Sequence, residues 1–186
     1  MNASRHSKSD VLQAAMKLLD EVGLPDLTMR KLAATLDVQP SALYWHFANK
    51  QSLLAEVSNT IVNFAKPVSE GKTWQDTTLQ TALALRDALL AFRDGAEVVS
   101  STLALGLGAE GALAKIESSI AISNRQLAQA AAQSILFLVL GQVWHEQQRM
   151  QANSLGIVDN LEETGTPNLE VGIRLILQGL TEKVKA

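Results

Sequence analysis

The sequence predicts an all-α protein: an N-terminal three-helix unit built round a helix-turn-helix, followed by a larger helical body. Two observations predict it. Apolar residues recur every three or four positions along nearly the whole chain, with no alternating strand pattern. Residues Thr28 to Lys50, TMRKLAATLDVQPSALYWHFANK, hold two short helical patterns joined by a tight turn. The 186 residues allow one large or two small domains, and the helix-breaking stretch from Pro67 to Lys72 divides them into 1–66 and 67–186.

Taken in order, residues 1–6 read as a mobile arm, with Arg5 and His6 within reach of a neighbouring groove. Ser7-Lys8-Ser9-Asp10 has capping-box form and opens a helix to about Val22, with Val11, Leu12, Ala15, Leu18 and Leu19 as its buried stripe. Gly23 ends it. Thr28 caps the second helix, where Leu32, Ala33 and Leu36 share one face. Asp37 tolerates the left-handed turn conformation and Val38 points back into the core. Pro40 suits the first turn of a third, seven-residue helix, where its missing N–H has no intrahelical partner. Leu43 and Phe47 lie four apart and face inward, leaving Gln39, Ser41, Ala42, Tyr44, Trp45 and His46 largely outside.

That outer set points to DNA. Two exposed aromatic residues and a histidine on so short a helix are costly unless they bind something. The alternative is that Tyr44 and Trp45 are core residues of a small bundle. The net charge of −3 is no global signature of a nucleic-acid binder, but residues 1–50 carry six Lys/Arg against five Asp/Glu, while the remainder carries ten against fourteen. Positive charge is needed only where phosphates lie, and Arg5, Lys8, Arg30, Lys31 and Lys50 could supply it. Arg30 suits a bidentate pair with guanine, Gln39 suits adenine, Pro40 offers apolar contact to a thymine methyl, and Ser41 completes the base-reading set. Thr28, Tyr44, His46 and Lys50 are better suited to phosphates.

These residues carry a family resemblance. The run LYWHF (Leu43 to Phe47), the segment NKQSLL (Asn49 to Leu54), Ala33 to Leu36 and the upstream pattern VLQAAMKLLDEVGLPDLT (Val11 to Thr28) resemble the N-terminal domain of the tetracycline-repressor (TetR) family of bacterial regulators. In the body, LLAFRDGAEV (Leu89 to Val98), Leu138 to Gln148 and Leu169 to Leu180 are similar to the family's tetracycline-binding members. The resemblance implies a homodimer on a pseudo-palindromic duplex site, with a fourth helix, Lys50 to about Phe64, joining head to body. Its inward positions are Leu53, Leu54, Val57, Ile61 and Phe64.

The body reads as helix throughout. One helix covers about Trp74 to Phe92, and Arg93-Asp94-Gly95 breaks it. Ala96 to Gly108 is ambiguous, because Gly106 and Gly108 interrupt an apolar segment. Ala109 to Ala121 suits a helix; Ser123 or Asn124 caps a long one from about Arg125 to Gln151; residues 152–165 read as loop; Thr166-Pro167 opens the last, to about Val184. Leu127, Ala131, Ile135, Leu138 and Gln142 stripe the long helix; Leu169, Ile173, Ile176, Leu180 and Val184 stripe the last. With Gly141, Gly172 and Gly179 allowing close approach, both helices are expected to pair with their copies as a four-helix bundle. The alternative is burial against the chain's own fifth helix.

For an effector, the resemblance aligns Val99 with the family's metal-binding His, and Lys66, Thr81 and Leu85 with its drug-binding His, Asn and Phe. His145 or Glu146 falls near the partner subunit's Glu. Without a nitrogen ligand at Val99, magnesium–tetracycline is not expected, and the reading assigns no metal and no cofactor. The expected cavity is lined by Phe64, Thr81, Leu85, Leu89 and Phe92, with Val99, Leu138 and Trp144 across it. Gln142 and His145 would orient a small apolar or aromatic ligand. Core packing is the competing reading for each of these residues.

Other classes find little support. His145-Glu146-Gln147-Gln148-Arg149 lacks the second His of a zinc hydrolase motif, and no Ser-His-Asp set, phosphate-cradling glycine loop or paired carboxylates stand out, so no enzyme is expected. With no cysteines there are no disulfides or thiolate metal sites. The most apolar stretch, Ser134 to Trp144, is short for a membrane span and no basic-then-apolar signal opens the chain, so a cytoplasmic location is the expectation.

Overall fold

The computed structural model describes residues 6–157 and 166–185, and among them all regular structure is helical. The helices are α1 (Lys8–Val22), α2 (Met29–Thr35), α3 (Pro40–Leu43), α4 (Lys50–Phe64), α5 (Trp74–Leu90), α6 (Gly95–Ala104), α7 (Glu110–Ser119), α8 (Arg125–Ser154) and α9 (Thr166–Lys185). The boundaries follow local chemistry. The Ser7 hydroxyl accepts from the Asp10 N–H while the Asp10 carboxylate accepts from the Ser7 N–H, closing the capping box of α1. The Ser7 backbone and hydroxyl donors hold the Asp10 carboxyl below its ordinary value. Asn49 and Ser52 form the equivalent reciprocal pair at α4. Thr28, Thr73 and Asn124 cap α2, α5 and α8.

The head is α1, α2 and α3 round Val11, Ala15, Leu19, Leu32, Leu43 and Phe47, with Leu53 and Val57 of α4 completing its core. Each fully buried Leu contributes about 1.5–3 kcal/mol. The body packs α5 to α9 round Leu79, Leu85, Leu89, Val99, Ile116, Ile135, Val139 and Ile173. Helix α4 belongs to both: it packs on α1 in front and on α5, α6 and α7 behind.

A polar seam locks head to body at the α5–α6 corner. Asp94 is buried in the left-handed conformation (φ 55°) and accepts from the Leu24 N–H at 2.7 Å. The Arg93 N–H donates to Asp20 at 2.9 Å and its guanidinium to the Glu21 carbonyl at 3.1 Å. Gln151 of α8 donates to the other Asp94 oxygen. Buried Gln147 spans three backbone groups, accepting from Ala96 N–H and donating to Leu89 and Phe92 carbonyls. Gly95 is here for space, since a Cβ would overlap the Leu89 carbonyl oxygen. A second seam holds α4, where Asn59 accepts from the N–H of left-handed Ala109 at 2.9 Å.

The structure corrects several expectations. Helix α3 is a single α turn, continued to His46 by a turn in which His46 and Phe47 N–H both reach the Leu43 carbonyl; it is not a seven-residue helix. Helix α5 stops at Leu90, two residues early, because Ala91 to Asp94 must turn into the seam. The ambiguous Ala96 to Gly108 segment is largely α6. Helix α8 continues to Ser154, into the expected loop. Residues 1–5 with Arg5, and 158–165, lie outside the described residues, as do the side chains of Thr166, Pro167 and Val184. His6 does not extend away: a ring nitrogen sits 3.0 Å from the Leu36 carbonyl.

Two corrections bear on assembly. The stripes assigned to a subunit interface are used within the chain, because Ala131, Ile135, Leu169, Ile173 and Leu180 are buried between α8, α9 and the body. Gly172 serves the same contact, its missing Cβ leaving room for Leu138. Left uncovered are Phe137, Gly141 and Trp144 on one face of α8, and Val171 and Leu175 (64 % exposed) on α9. By length and composition α8 could cross a bilayer, but 44% of its apolar window is buried inside the fold, as in the core helix of a helical body.

Candidate nucleic-acid interface and effector cleft

The outward face of the helix-turn-helix is built from behind. Leu43 and Phe47 are buried and fix α3 against the head, and Lys8 sits 5.4 Å over the Phe47 ring. Asp37 (φ 53°) makes the turn, and the Val38 N–H returns to the Ala33 carbonyl at 3.0 Å. Facing away are exposed Gln39 and Ser41, Tyr44 (51 %) and Trp45 (87 %), with Pro40 and His46 half-buried beside them. The Gln39 side chain makes no capping bond. Arg30 is exposed on α2. The Thr28 hydroxyl accepts from Lys31 N–H at 3.1 Å, which leaves its own hydrogen to donate. The Lys50 ammonium donates to the Leu24 carbonyl at 3.4 Å, and two of its three donors remain. Of the nine positions expected to meet DNA, Thr28, Arg30, Gln39, Ser41, Tyr44 and Trp45 are exposed and Pro40, His46 and Lys50 half-buried. Two cations expected to help are engaged elsewhere, Lys8 with Glu56 and Lys31 with Asp26.

The residues assigned to an effector cavity do not converge. Thr81 and Leu85 line a cleft of ≈ 510 Å³ between α4, α5 and α7. Leu89 and Val99 have no exposed surface, because they fill the body core. Val99 is hydrocarbon and enclosed, so the residues do not fit the family's magnesium–drug arrangement. Phe64 was expected inward; it is 57 % exposed, packs edge-on against Phe92 with ring centroids 5.2 Å apart, and Val62 takes the buried place. Phe64 and Phe92 line separate surface hollows. Trp144 faces a groove with Phe137 and Gly141, Leu138 packs beneath α9, His145 is exposed and Gln142 half-buried. Glu146 is held within the chain by Arg86, whose Nη2 lies 3.0 Å from each carboxylate oxygen while Nη1 donates to Asp87.

Sequence reasoning named Lys66, Thr81 and Leu85 at the family's drug-binding positions, and all three line the cleft; the rest of its lining was missed. Ala84, Ala112 and Ile116 make apolar walls, Pro67 and Val68 of the α4–α5 connector lie across it, and Lys66 and Lys115 bring charge. The connector is tied down where the Gly71 N–H donates to Thr77 at 2.9 Å. Lys115 of α7 donates to the Val62 carbonyl in the last turn of α4 at 2.8 Å. Burial holds its ammonium below the ordinary lysine value.

Comparison with known proteins agrees with this anatomy. Residues 11–57 match the family described as bacterial regulatory proteins, tetR family, and residues 66–160 match the tetracyclin repressor-like C-terminal domain. The chain belongs to the tetR family. It is 42% identical to the class G tetracycline repressor of Vibrio anguillarum over 98 residues, covering 51% of this chain and 47% of that protein. It is 35% identical to the class E repressor of Escherichia coli over 161 residues, covering 84% and 76%. The chain thus spans about half the length of several relatives it matches and three quarters of the class E protein. Among solved structures, BioQ of Mycobacterium smegmatis superposes with a TM-score of 0.85 at 38% identity, covering 95% of this chain and 98% of that one. BioQ with its double-stranded DNA operator gives 0.78 at 37%, covering 95% and 98%. A TetR variant from Acinetobacter baumannii AYE in complex with minocycline gives 0.76 at 29%, covering 98% and 100%.

Proposed function

We propose that this chain is a homodimeric, DNA-binding transcriptional repressor that leaves a pseudo-palindromic operator when a small apolar or aromatic ligand binds its body. The observation that carries the reading is the outward face of α3, where Gln39, Ser41, Tyr44 and Trp45 stand exposed on a turn anchored by buried Leu43 and Phe47. Residues 1–66 would read DNA and 67–186 would pair and bind the effector. Arg30, Gln39, Pro40 and Ser41 contact bases; Thr28, Tyr44, Trp45, His46 and Lys50 contact backbone. The BioQ operator complex and the minocycline complex support both halves of this reading. The uncovered faces of α8 and α9 support pairing, and two-fold pairing sets half-sites about 34–36 Å apart or a multiple of that.

The relatives are regulators, so we read the chain as non-enzymatic and cytoplasmic, with no membrane partner. A DNA-binding dimer without an effector is the second reading; the cleft favours the first. Selection of duplexes from a random pool tests the proposal: a two-fold related site should emerge. Arg30→Ala should then cost about 1–3 kcal/mol and relax specificity at one base pair. Equal loss on every sequence would refute that contact, and no enriched site would refute the reading.

A further inference from the structure

The donors left over in the cleft between α4, α5 and α7 restrict what it can hold. Its four lining hydroxyls are already committed to backbone: Thr77 donates to the Thr73 carbonyl, Thr81 to Thr77, Ser118 to Lys115 and Ser119 to Ile116. They can accept from a ligand but have no hydrogen to offer it. The remaining donors are ammonium groups and one amide. Lys115 uses one of three hydrogens on Val62, and Lys66 and Asn63 make no hydrogen bond or ion pair among the described residues. No acidic side chain lines the cleft. Leu85, Ile116, Ala84 and Val68 supply apolar walls.

We infer that the cleft takes an amphipathic organic anion, a carboxylate on a small apolar or aromatic body, with its charged end on Lys115 and Lys66. This rests on reading the chain as a ligand-responsive regulator and names the ligand's chemical class. A neutral ligand would leave the half-buried Lys115 ammonium beside apolar walls with no counter-charge; a carboxylate would pair with it and with exposed Lys66 through charge-assisted hydrogen bonds. The depressed Lys115 ammonium is the cost of its burial without such a partner. The position also gives a route to DNA. The amine that meets the anion is the one holding the carboxyl end of α4, whose other end completes the head core. Drawing Lys115 towards a ligand would compete with its bond to the Val62 carbonyl and so act on the last turn of that rod.

The test is calorimetric titration of the full chain with matched acids and amides: benzoate and benzamide, 2-naphthoate and 2-naphthamide, octanoate and octanamide, decanoate and decanamide. In at least one pair the acid should bind about tenfold tighter or more. Lys115→Gln keeps a donor for the Val62 carbonyl while removing charge, and should cut that preference to about threefold or less; Lys115→Arg should keep most of it. Equal binding within every pair, no binding by any acid, or a preference untouched by Lys115→Gln combined with Lys66→Gln overturns the inference. Release of a selected duplex is measured on the same samples. An acid that binds by this pattern yet leaves DNA bound supports the anion site and contradicts the effector role. Release by amides alone does the reverse.

Discussion

The recognition turn and the α5–α6 corner are both short, polar at the surface and centred on a left-handed Asp, yet they are built in opposite ways. Helix α3 follows Asp37, is anchored by two apolar side chains and leaves its polar and aromatic groups outside. The corner follows a similar logic of sequence, Arg93-Asp94-Gly95, but Asp94 is buried and its oxygens are divided between the head and α8. Change at the first should alter what is bound and leave the fold intact. Change at the second should alter the fold and, through it, the angle between head and body.

The largest expected effect is at the corner. Gly95→Ala puts a methyl against the Leu89 backbone, which cannot swing aside as a side chain would, and should cost about 2–3 kcal/mol in urea unfolding. A loss below about 0.5 kcal/mol would mean the corner relaxes freely and the comparison fails. Trp45→Ala should do the opposite. Its stability should stay within about 0.5 kcal/mol, since the ring is nearly all exposed, while affinity for a selected duplex falls about tenfold. An unfolding midpoint that drops with the affinity would reassign Trp45 to structure.

The legible part of the molecule was the part set by neighbours in sequence. Ser7 with Asp10 and Thr28 with Lys31 act over three residues, so a linear reading finds them. Leu43 and Phe47 were legible for the same reason, being four apart on one face. Periodicity gave the stripes of α8 and α9 but not whose surface they meet: Ile135 and Ile173 repeat identically whether the partner is the same chain or a copy. Phe64 follows Leu53, Val57 and Ile61 in register, yet it is the last residue of α4, past the point where α7 and the core cover the helix. Lys115 carried no local signal, because its carbonyl partner is 53 residues away. At the corner, Gly95 would be expected to take the left-handed residue; Asp94 takes it, and Gly95 is required by packing.

A smaller effect separates cleft from core. The folded chain holds the Lys115 proton less tightly than the unfolded chain, whose lysine keeps the ordinary value of 10.5. Between the lowered folded value and 10.5 the unfolded state binds more protons, so this residue's contribution to stability rises with pH across that window and is flat below it. Lys115→Met should remove that rise from the stability–pH curve measured by urea unfolding. An unchanged slope would mean the ammonium is solvated.

The central claim is that two copies, joined through the uncovered faces of α8 and α9, present two α3 turns to one duplex. Sedimentation velocity of the full chain with a selected duplex tests it most directly. The account predicts a dimer without DNA at micromolar concentration and two chains on each site, with Leu175→Glu reducing both. A chain that stays single and binds, or fails to bind, as one copy would contradict it.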